Sequence, residues 1–312
     1  MKDLLRTQDL SRDDVELLLE TAAAFAKEPL RSKSALANKS VAIYMTKPST
    51  RTRLSSETAV AHLGGVPIFI RGDELQLGRG ETIADTAKII SGYCSALIIR
   101  TFAQSDVDEL GKHASIPVIN ALTDDDHPTQ LLADWLTIRE NFGKDIAGRK
   151  FVYLGDGNNI SHAWLIMGAI MGAHVVAATP SGKWAPSAKI VEIAKNIAAK
   201  SGGKVEVSHD PEAASKDASV LYTDVWMSMG DSESERDEKV LALSPFAVTE
   251  NLFSLTNKDS IFMHCLPAHR GEEVEASVID GPRSVIWREA YHRRTTIQSL
   301  LFHLTQGDLK GN

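Results

Sequence analysis

Cysteine is scarce. The chain holds two, Cys94 and Cys265, which give neither a disulfide framework nor a zinc-ligand spacing. Positive charge is not in excess: 34 Lys and Arg stand against 41 Asp and Glu, a net charge of −7. A broad nucleic-acid surface needs a basic patch, so no nucleic-acid partner is expected. Long apolar runs are missing too. The longest uncharged apolar stretch, Ala163 to Ala173, carries glycines and falls short of the ~20 residues a bilayer span needs. The opening Met1-Lys2-Asp3-Leu4-Leu5-Arg6 has no apolar core of signal-peptide length. No membrane partner is expected, and a cytoplasmic location is the default expectation. Low-complexity segments and sequence repeats are lacking as well. What remains is an ordinary globular composition over 312 residues, long enough for two domains with separate cores.

Strand and helix patterns alternate along that length. Ser11, with Asp14 three residues on, predicts the cap of a first helix. Short apolar runs at 41–45, 66–70, 96–99 and 117–122 predict strands. Helices are expected over 54–63 and from Thr82, Ser105 and His127. After a plausible hinge at Ile146-Ala147-Gly148 the pattern restarts. Strands are expected at 151–154, 175–178, 205–208, 220–224, 261–266 and 285–287, with helices at 160–171, 187–200 and from about Thr295 to Leu304. Residues 231–238 are polar and acidic, and read as an unpacked loop or a mobile lid beside Asp224. The alternation predicts an α/β fold of two doubly wound domains facing one another, each with a central parallel sheet flanked by helices, linked by interdomain helices. The expected division is 1–143 plus 291–312 against 144–290, with ligands at the carboxyl ends of the strands.

The most informative stretch is Lys47-Pro48-Ser49-Thr50-Arg51-Thr52-Arg53, between a strand and a helix. A helix N-terminus presents unpaired N–H groups and positive dipole, a ready seat for an anion. Three hydroxyls and two guanidiniums add donors for phosphate oxygens, more than one helix cap requires. The glycines of a Walker loop are absent. The stretch implies a phosphorylated small molecule.

Other marked residues follow strands. Arg100 ends one, where it can clamp an anion or stand as a surface charge. His127-Pro128-Thr129-Gln130 opens a helix, so the imidazole and Gln130 can share a crevice. Gly155-Asp156-Gly157-Asn158-Asn159 invites a dinucleotide reading, but Ile160 stands where the third glycine of that fingerprint belongs. Recognition of polar ligand groups and a plain structural turn both remain open. His264-Cys265-Leu266-Pro267 offers a thiol beside an imidazole, either in contact with a substrate or simply packed. Arg293 and Arg294, just before the last helix, can return to the anion site or stay solvated.

Taken together, these motifs closely resemble the ornithine carbamoyltransferases over nearly the whole chain. The family's S-T-R-T-R is Ser49 to Arg53, its H-P-x-Q is His127 to Gln130, its D-x-x-x-S-M-G is Asp224 to Gly230, and its H-C-L-P is His264 to Pro267. The resemblance implies that Ser49, Thr50, Arg51, Thr52, Arg100, His127, Gln130 and Arg293 bind carbamoyl phosphate. Gln76 would serve the neighbouring subunit's site, which implies a homotrimer or a multiple of one. Asn158, Asp224, Ser228 and Met229 would hold L-ornithine, and Cys265 with Leu266 would line the reacting centre on the carbamoyl phosphate. The catalytic groups implied are Cys265, Arg100, His127 and Arg51, with no metal and no cofactor. Met45 and Ser56 replace phenylalanines common in the family, and Asp125-Asp126 precede His127 where apolar residues are usual. The alternatives are a carbamoyltransferase for another amine, such as putrescine or an acylated ornithine, an NAD-dependent oxidoreductase, and a non-catalytic relative.

Overall fold

A computed structural model describes residues 1–75, 80–227 and 232–312; Gln76, Ser228 and Met229 lie outside the described residues. The chain divides into two units, Met1–Leu136 with Tyr291–Asn312, and Thr137–Ala290. Each is built on one parallel sheet, because every strand returns through a helix and buried strands of this kind need both faces covered.

In the first unit α1 (Arg12–Lys27) begins at Ser11, whose Oγ accepts the Asp14 N–H at 3.1 Å while Asp14 accepts the Ser11 N–H, so the expected reciprocal cap forms. Then follow β1 (Ser40–Met45), α2 (Thr50–His62), β2 (Val66–Arg71), α3 (Ile83–Tyr93), β3 (Ala96–Arg100), α4 (Gln104–His113), β4 (Val118–Leu122) and α5 (Pro128–Phe142), the last running on into the second unit. The sheet order is β2-β1-β3-β4. Ala42, Leu97 and Ile99 pack against Ile90, Val107 and Leu110 of α3 and α4. Register aligns Met45 with Arg100 and Arg100 with Leu122, so the segments that follow all three strands leave the sheet at one edge. One expected cap is absent. Ala103, not Ser105, precedes α4, and Asp108 instead takes both arms of the Arg6 guanidinium at 2.7 and 2.6 Å.

The second unit contains β5 (Lys150–Leu154), α6 (Asn159–Ile170), β6 (His174–Ala178), α7 (Ala188–Ser201), β7 (Lys204–Ser208), α8 (Pro211–Ser215), β8 (Ala218–Thr223), α9 (Arg236–Leu243), α10 (Glu250–Ser254), β9 (Ile261–His264) and α11 (Ala276–Ile279), in sheet order β7-β6-β5-β8-β9. The helix α6 lies close on β6: a Cβ on Gly168 would stand 2.1 Å from Val175 Cγ1. Leu154 pairs with Thr223, and Thr223 with His264, which again brings three strand ends to one edge.

Two expectations fail here. Residues 285–287 are not a strand. Ser284 makes a lone bridge to Phe262, and α12 (Ile286–Gln306) starts at once, nine residues before the expected helix start. A three-residue apolar run carries no period that separates strand from helix. The acidic segment is also not an unpacked loop throughout. From Arg236 it forms α9, whose Lys239 is 4% exposed, and whose Arg236 meets Glu272 at 2.8 Å. No helix among the described residues is long and apolar enough to cross a membrane.

Candidate active site

At the sheet edge of the first unit the chain leaves β1 and enters α2 through the hydroxyl-rich turn. Ser49 is extended and caps α2, its Oγ accepting the Thr52 N–H at 3.3 Å. Thr50 is exposed, Arg51 half-buried and Thr52 fully buried. The Arg51 side chain makes no hydrogen bond or ion pair with any described residue, so a guanidinium beside a helix N-terminus is left for an anion. The two arginines of the motif part company: Arg53 stacks on Phe69, 3.8 Å from the ring centroid, and meets Glu57 at 3.1 Å. It is a surface clasp rather than a second anion donor.

Arg293 does come to this edge, while its neighbour does not. Its guanidinium, 2% exposed, donates to Gln130 Oε1 at 2.5 Å and lies 3.4 Å from His127 Nε2, Thr52 Oγ1 and Thr129 Oγ1. Gln130 in turn donates to Asp134 at 2.7 Å. Arg294 points elsewhere, to His62 Nδ1 at 3.1 Å and the Tyr291 hydroxyl at 2.8 Å. Helical spacing explains the split, since adjacent positions on one helix face about 100° apart. Arg100 is 6% exposed at the end of β3.

The cluster decides the charge of His127. Burial holds its imidazole well below the ordinary histidine range, and the charges of Arg293, Arg100 and Arg51 push the same way. A neutral ring can give or take a hydrogen bond without adding a fourth positive charge. NMR of the His127 ring should therefore report the neutral form from pH 8 down to about 5.5, where a solvated histidine is mostly protonated. The unfolded chain protonates this histidine near 6.5 and the folded one only at a lower pH. Its contribution to stability is thus complete above that value and is lost as pH falls below it.

Asp126, which departs from the usual family pattern, has a structural use. It accepts the Thr7 N–H at 2.7 Å and the Thr7 hydroxyl at 2.6 Å, fastening the N-terminal segment to the turn before His127. Burial pushes this carboxyl up to about 6. Sequence reading missed both this clasp and Thr129, because neither residue shows a pattern until the fold brings its partner near.

The second unit gathers its own group at its sheet edge. Asn158 caps α6 with Oδ1, accepting from Ile160 N and Ser161 N at 3.0 and 3.1 Å, and its Nδ2 donates to Asp224 Oδ2 at 3.1 Å. The Cys265 thiol donates to the other oxygen of Asp224 at 2.9 Å, beside the Val225 N–H at 2.8 Å. Asp224 is 7% exposed, and Cys265 and Leu266 are half-buried. Gly157 serves an internal contact: a Cβ there would stand 2.2 Å from the Ala185 carbonyl carbon, and its N–H donates to Trp184. The backbone that crosses Gly157 is protein, which gives the second glycine a use other than a dinucleotide's. Asp156 meets the buried Lys239 at 2.7 Å, so α9 is tied to the turn before Asn158.

Asp224, His264 and Cys265 bring ligand-type atoms within 4.8 Å of one another, as do His269, Glu272 and Glu273. In the first group these atoms already satisfy neighbours: the thiol bonds Asp224, and His264 Nδ1 accepts the Leu266 N–H at 2.8 Å.

A parallel-sheet unit with a buried cation cluster at a helix N-terminus, together with one carrying an amide–carboxylate–thiol chain, defines a two-domain α/β protein built to hold an anion and a polar small molecule. Two family models cover most of its length and sharpen that class. One, described as the carbamoyl-P binding domain of aspartate/ornithine carbamoyltransferase, matches residues 2–140; the other, its Asp/Orn binding domain, matches 147–304. The chain belongs to the aspartate/ornithine carbamoyltransferase family. Among its relatives is an ornithine carbamoyltransferase of Pyrococcus horikoshii, 48% identical over 308 residues, covering 98% of this chain and 96% of that one. The anabolic ornithine carbamoyltransferase of Pyrococcus furiosus is 47% identical over 311 residues, covering 99% and 98%. A solved structure of the ornithine carbamoyltransferase from that organism superposes with a TM-score of 0.92 at 46% identity, covering 99% and 98% of the two chains. The anabolic enzyme of Campylobacter jejuni gives 0.91 at 36%, covering 98% and 100%. The doubly wound, parallel-sheet architecture expected from the sequence is the architecture found.

Proposed function

We propose that the chain is an ornithine carbamoyltransferase, transferring the carbamoyl group of carbamoyl phosphate to the side-chain amine of L-ornithine, with L-citrulline and phosphate as products. The observation that carries the reading is the buried His127, 3.4 Å from the Arg293 guanidinium, in a unit that also carries the buried Arg100 at the end of β3 and, at the N-terminus of α2, the Arg51 guanidinium, unpaired among the described residues. On this reading residues 1–143 with 291–312 bind carbamoyl phosphate. Ser49, Thr50, Arg51 and Thr52 receive its phosphate, and Arg100, His127 and Gln130, with Arg293 behind them, face its carbamoyl oxygen. Residues 144–290 bind ornithine through Asn158, Asp224, Ser228 and Met229.

The amine nitrogen attacks the carbamoyl carbon, the bond from that carbon to the phosphate oxygen breaks, and the amine loses a proton. A free amine of this type has a pKa of about 10.4, so presenting it neutral at pH 7 costs about 4–5 kcal/mol. Asp224 alone stabilises the ammonium. Its shared hydrogen bond with the Cys265 thiol makes the two a single proton-handling unit. As the tetrahedral state forms, Arg100, His127 and Thr52 donate to the oxygen that gains charge. Arg51 and the free N–H groups of α2 stabilise the departing phosphate. Cys265 and Leu266 line the reacting centre.

A homotrimer, or a multiple of one, fits the same reading, with Gln76 serving a neighbouring subunit. The edge strand β2 supports it by exposing Val66 and Ile68, since an uncovered apolar edge favours association. That the Pyrococcus furiosus and Campylobacter jejuni relatives are named as anabolic enzymes supports a biosynthetic, arginine-forming role, for which a cytoplasmic location is the expectation. The test is citrulline formation from carbamoyl phosphate and L-ornithine, with putrescine and N-acetylornithine as competing amines. We expect kcat/KM for ornithine to exceed either rival by at least about 100-fold, as for a site that pairs both ends of its substrate. Preference for either rival amine, or no carbamoyl transfer, rejects the assignment.

A further inference from the structure

The H-C-L-P turn has a buried support that no motif announces. Leu266 takes a left-handed backbone, φ +60°, unfavourable for a branched side chain and held only where the surroundings insist. One tie that holds it is the imidazole two residues back: the Leu266 N–H donates to His264 Nδ1 at 2.8 Å. A nitrogen that accepts carries no proton, so the ring proton belongs on Nε2. Nε2 faces Glu273 Oε1 at 3.2 Å, and both side chains are completely buried. The same oxygen accepts the His269 N–H at 2.5 Å, so two donors converge on it. From the other side Glu289, also fully buried, accepts the His264 backbone N–H at 3.0 Å.

We propose that Glu273 is a positioning residue for carbamoyl transfer: its carboxylate locks His264 in the Nε2–H tautomer, and the bare Nδ1 holds the turn that presents Cys265 and Leu266. The inference rests on the reading of Cys265 and Leu266 as reacting-centre groups, and extends it to a residue that touches neither substrate. Without the acceptor at Glu273 the ring is free to move its proton to Nδ1. Two N–H groups then point at each other, the Leu266 backbone turns away, and the thiol loses its register with Asp224.

The proton's position is read directly by 15N NMR of histidine-labelled full-length protein. In the wild type His264 should be protonated on Nε2; a signal from the Nδ1–H form overturns the proposal whatever the kinetics. In Glu273→Gln the two converging donors keep the amide oxygen in place, so the tautomer persists and activity stays within a few-fold of the wild type. In Glu273→Leu the Nε2–H form should be lost. There kcat should fall and KM for ornithine rise, together by about 10–100-fold. Binding of inorganic phosphate, followed by calorimetry, should change less than about threefold, because its seat is in the first unit. Equal impairment of the Gln and Leu variants, or wild-type turnover in the Leu variant, also overturns the proposal. Should the Leu variant not fold, the wild-type tautomer and the Gln variant still decide. A wild type that makes no citrulline refutes the functional reading but leaves the tautomer measurement standing, so the two failures are separable.

Discussion

Arg51→Met should lower kcat/KM for carbamoyl phosphate by about 1,000-fold, equivalent to about 4 kcal/mol of transition-state binding, while leaving the melting temperature within about 1 °C. The separation of effects is the point. Arg51 has no hydrogen-bonding or ion-pair partner among the described residues, so removing its charge strands nothing in the fold. What is lost is a charge-assisted donor beside a helix N-terminus, where an anion gains from both. Arg293→Met should behave differently. It leaves Gln130 and its neighbours around a buried gap, and each stranded polar group costs about 1–3 kcal/mol. That variant should lose both activity and several degrees of thermal stability. Steady-state kinetics with thermal unfolding distinguishes the two. An Arg51→Met protein with the wild-type KM for carbamoyl phosphate would mean that the turn after β1 is not the phosphate seat.

The second large effect is expected at Asp224→Asn, with a fall in kcat/KM for ornithine of about 100–1,000-fold. Three donors surround this carboxylate: the Cys265 thiol and Val225 N–H at Oδ1, and the Asn158 amide at Oδ2. An asparagine has one acceptor oxygen, so its NH2 must face a donor on one side or the other. The network that aligns Asn158 and Cys265 then has to open. Cys265→Ser keeps a donor to Asp224 but replaces a polarisable thiol with a hydroxyl of much higher pKa. It should show a smaller loss in rate, a raised KM for ornithine and an altered pH–rate profile. Unchanged ornithine kinetics in Asp224→Asn would remove the amide–carboxylate–thiol chain from the amine-binding site.

Much of the candidate site's local structure could be read in the sequence because its residues are neighbours in the chain. The Ser49–Thr52 turn sits at a helix N-terminus that its own residues create, and Ser49 caps that helix as such residues do. The strands that precede Arg100, Asp224 and Cys265 are short apolar runs, and parallel pairing then carries their ends to one edge of each sheet. Where reading failed, the local signal was ambiguous or misleading. Residues 285–287 are too few to show a period. The acidic run after Asp231 hid a helix that buries Leu243 and meets distant residues through ion pairs, Lys239 with Asp156 and Arg236 with Glu272. Arg51 and Arg53 look alike in the chain and have opposite fates, because only one had an aromatic ring and a glutamate within reach.

By itself the sequence determined the alternating α/β fold and the hydroxyl- and guanidinium-rich turn at the start of α2. Fold and turn follow from periodicity, caps and the chemistry of neighbouring side chains, whereas the residues proposed for each substrate come from the family resemblance. The tertiary structure alone decided that Arg293 and not Arg294 joins His127, that burial holds the His127 imidazole below the ordinary histidine range, that Asp126 fastens Thr7, and that Glu273 backs His264. Each of these depends on burial and on partners brought together by folding, and an ionisable group acquires its charge, tautomer and direction only once those surroundings exist.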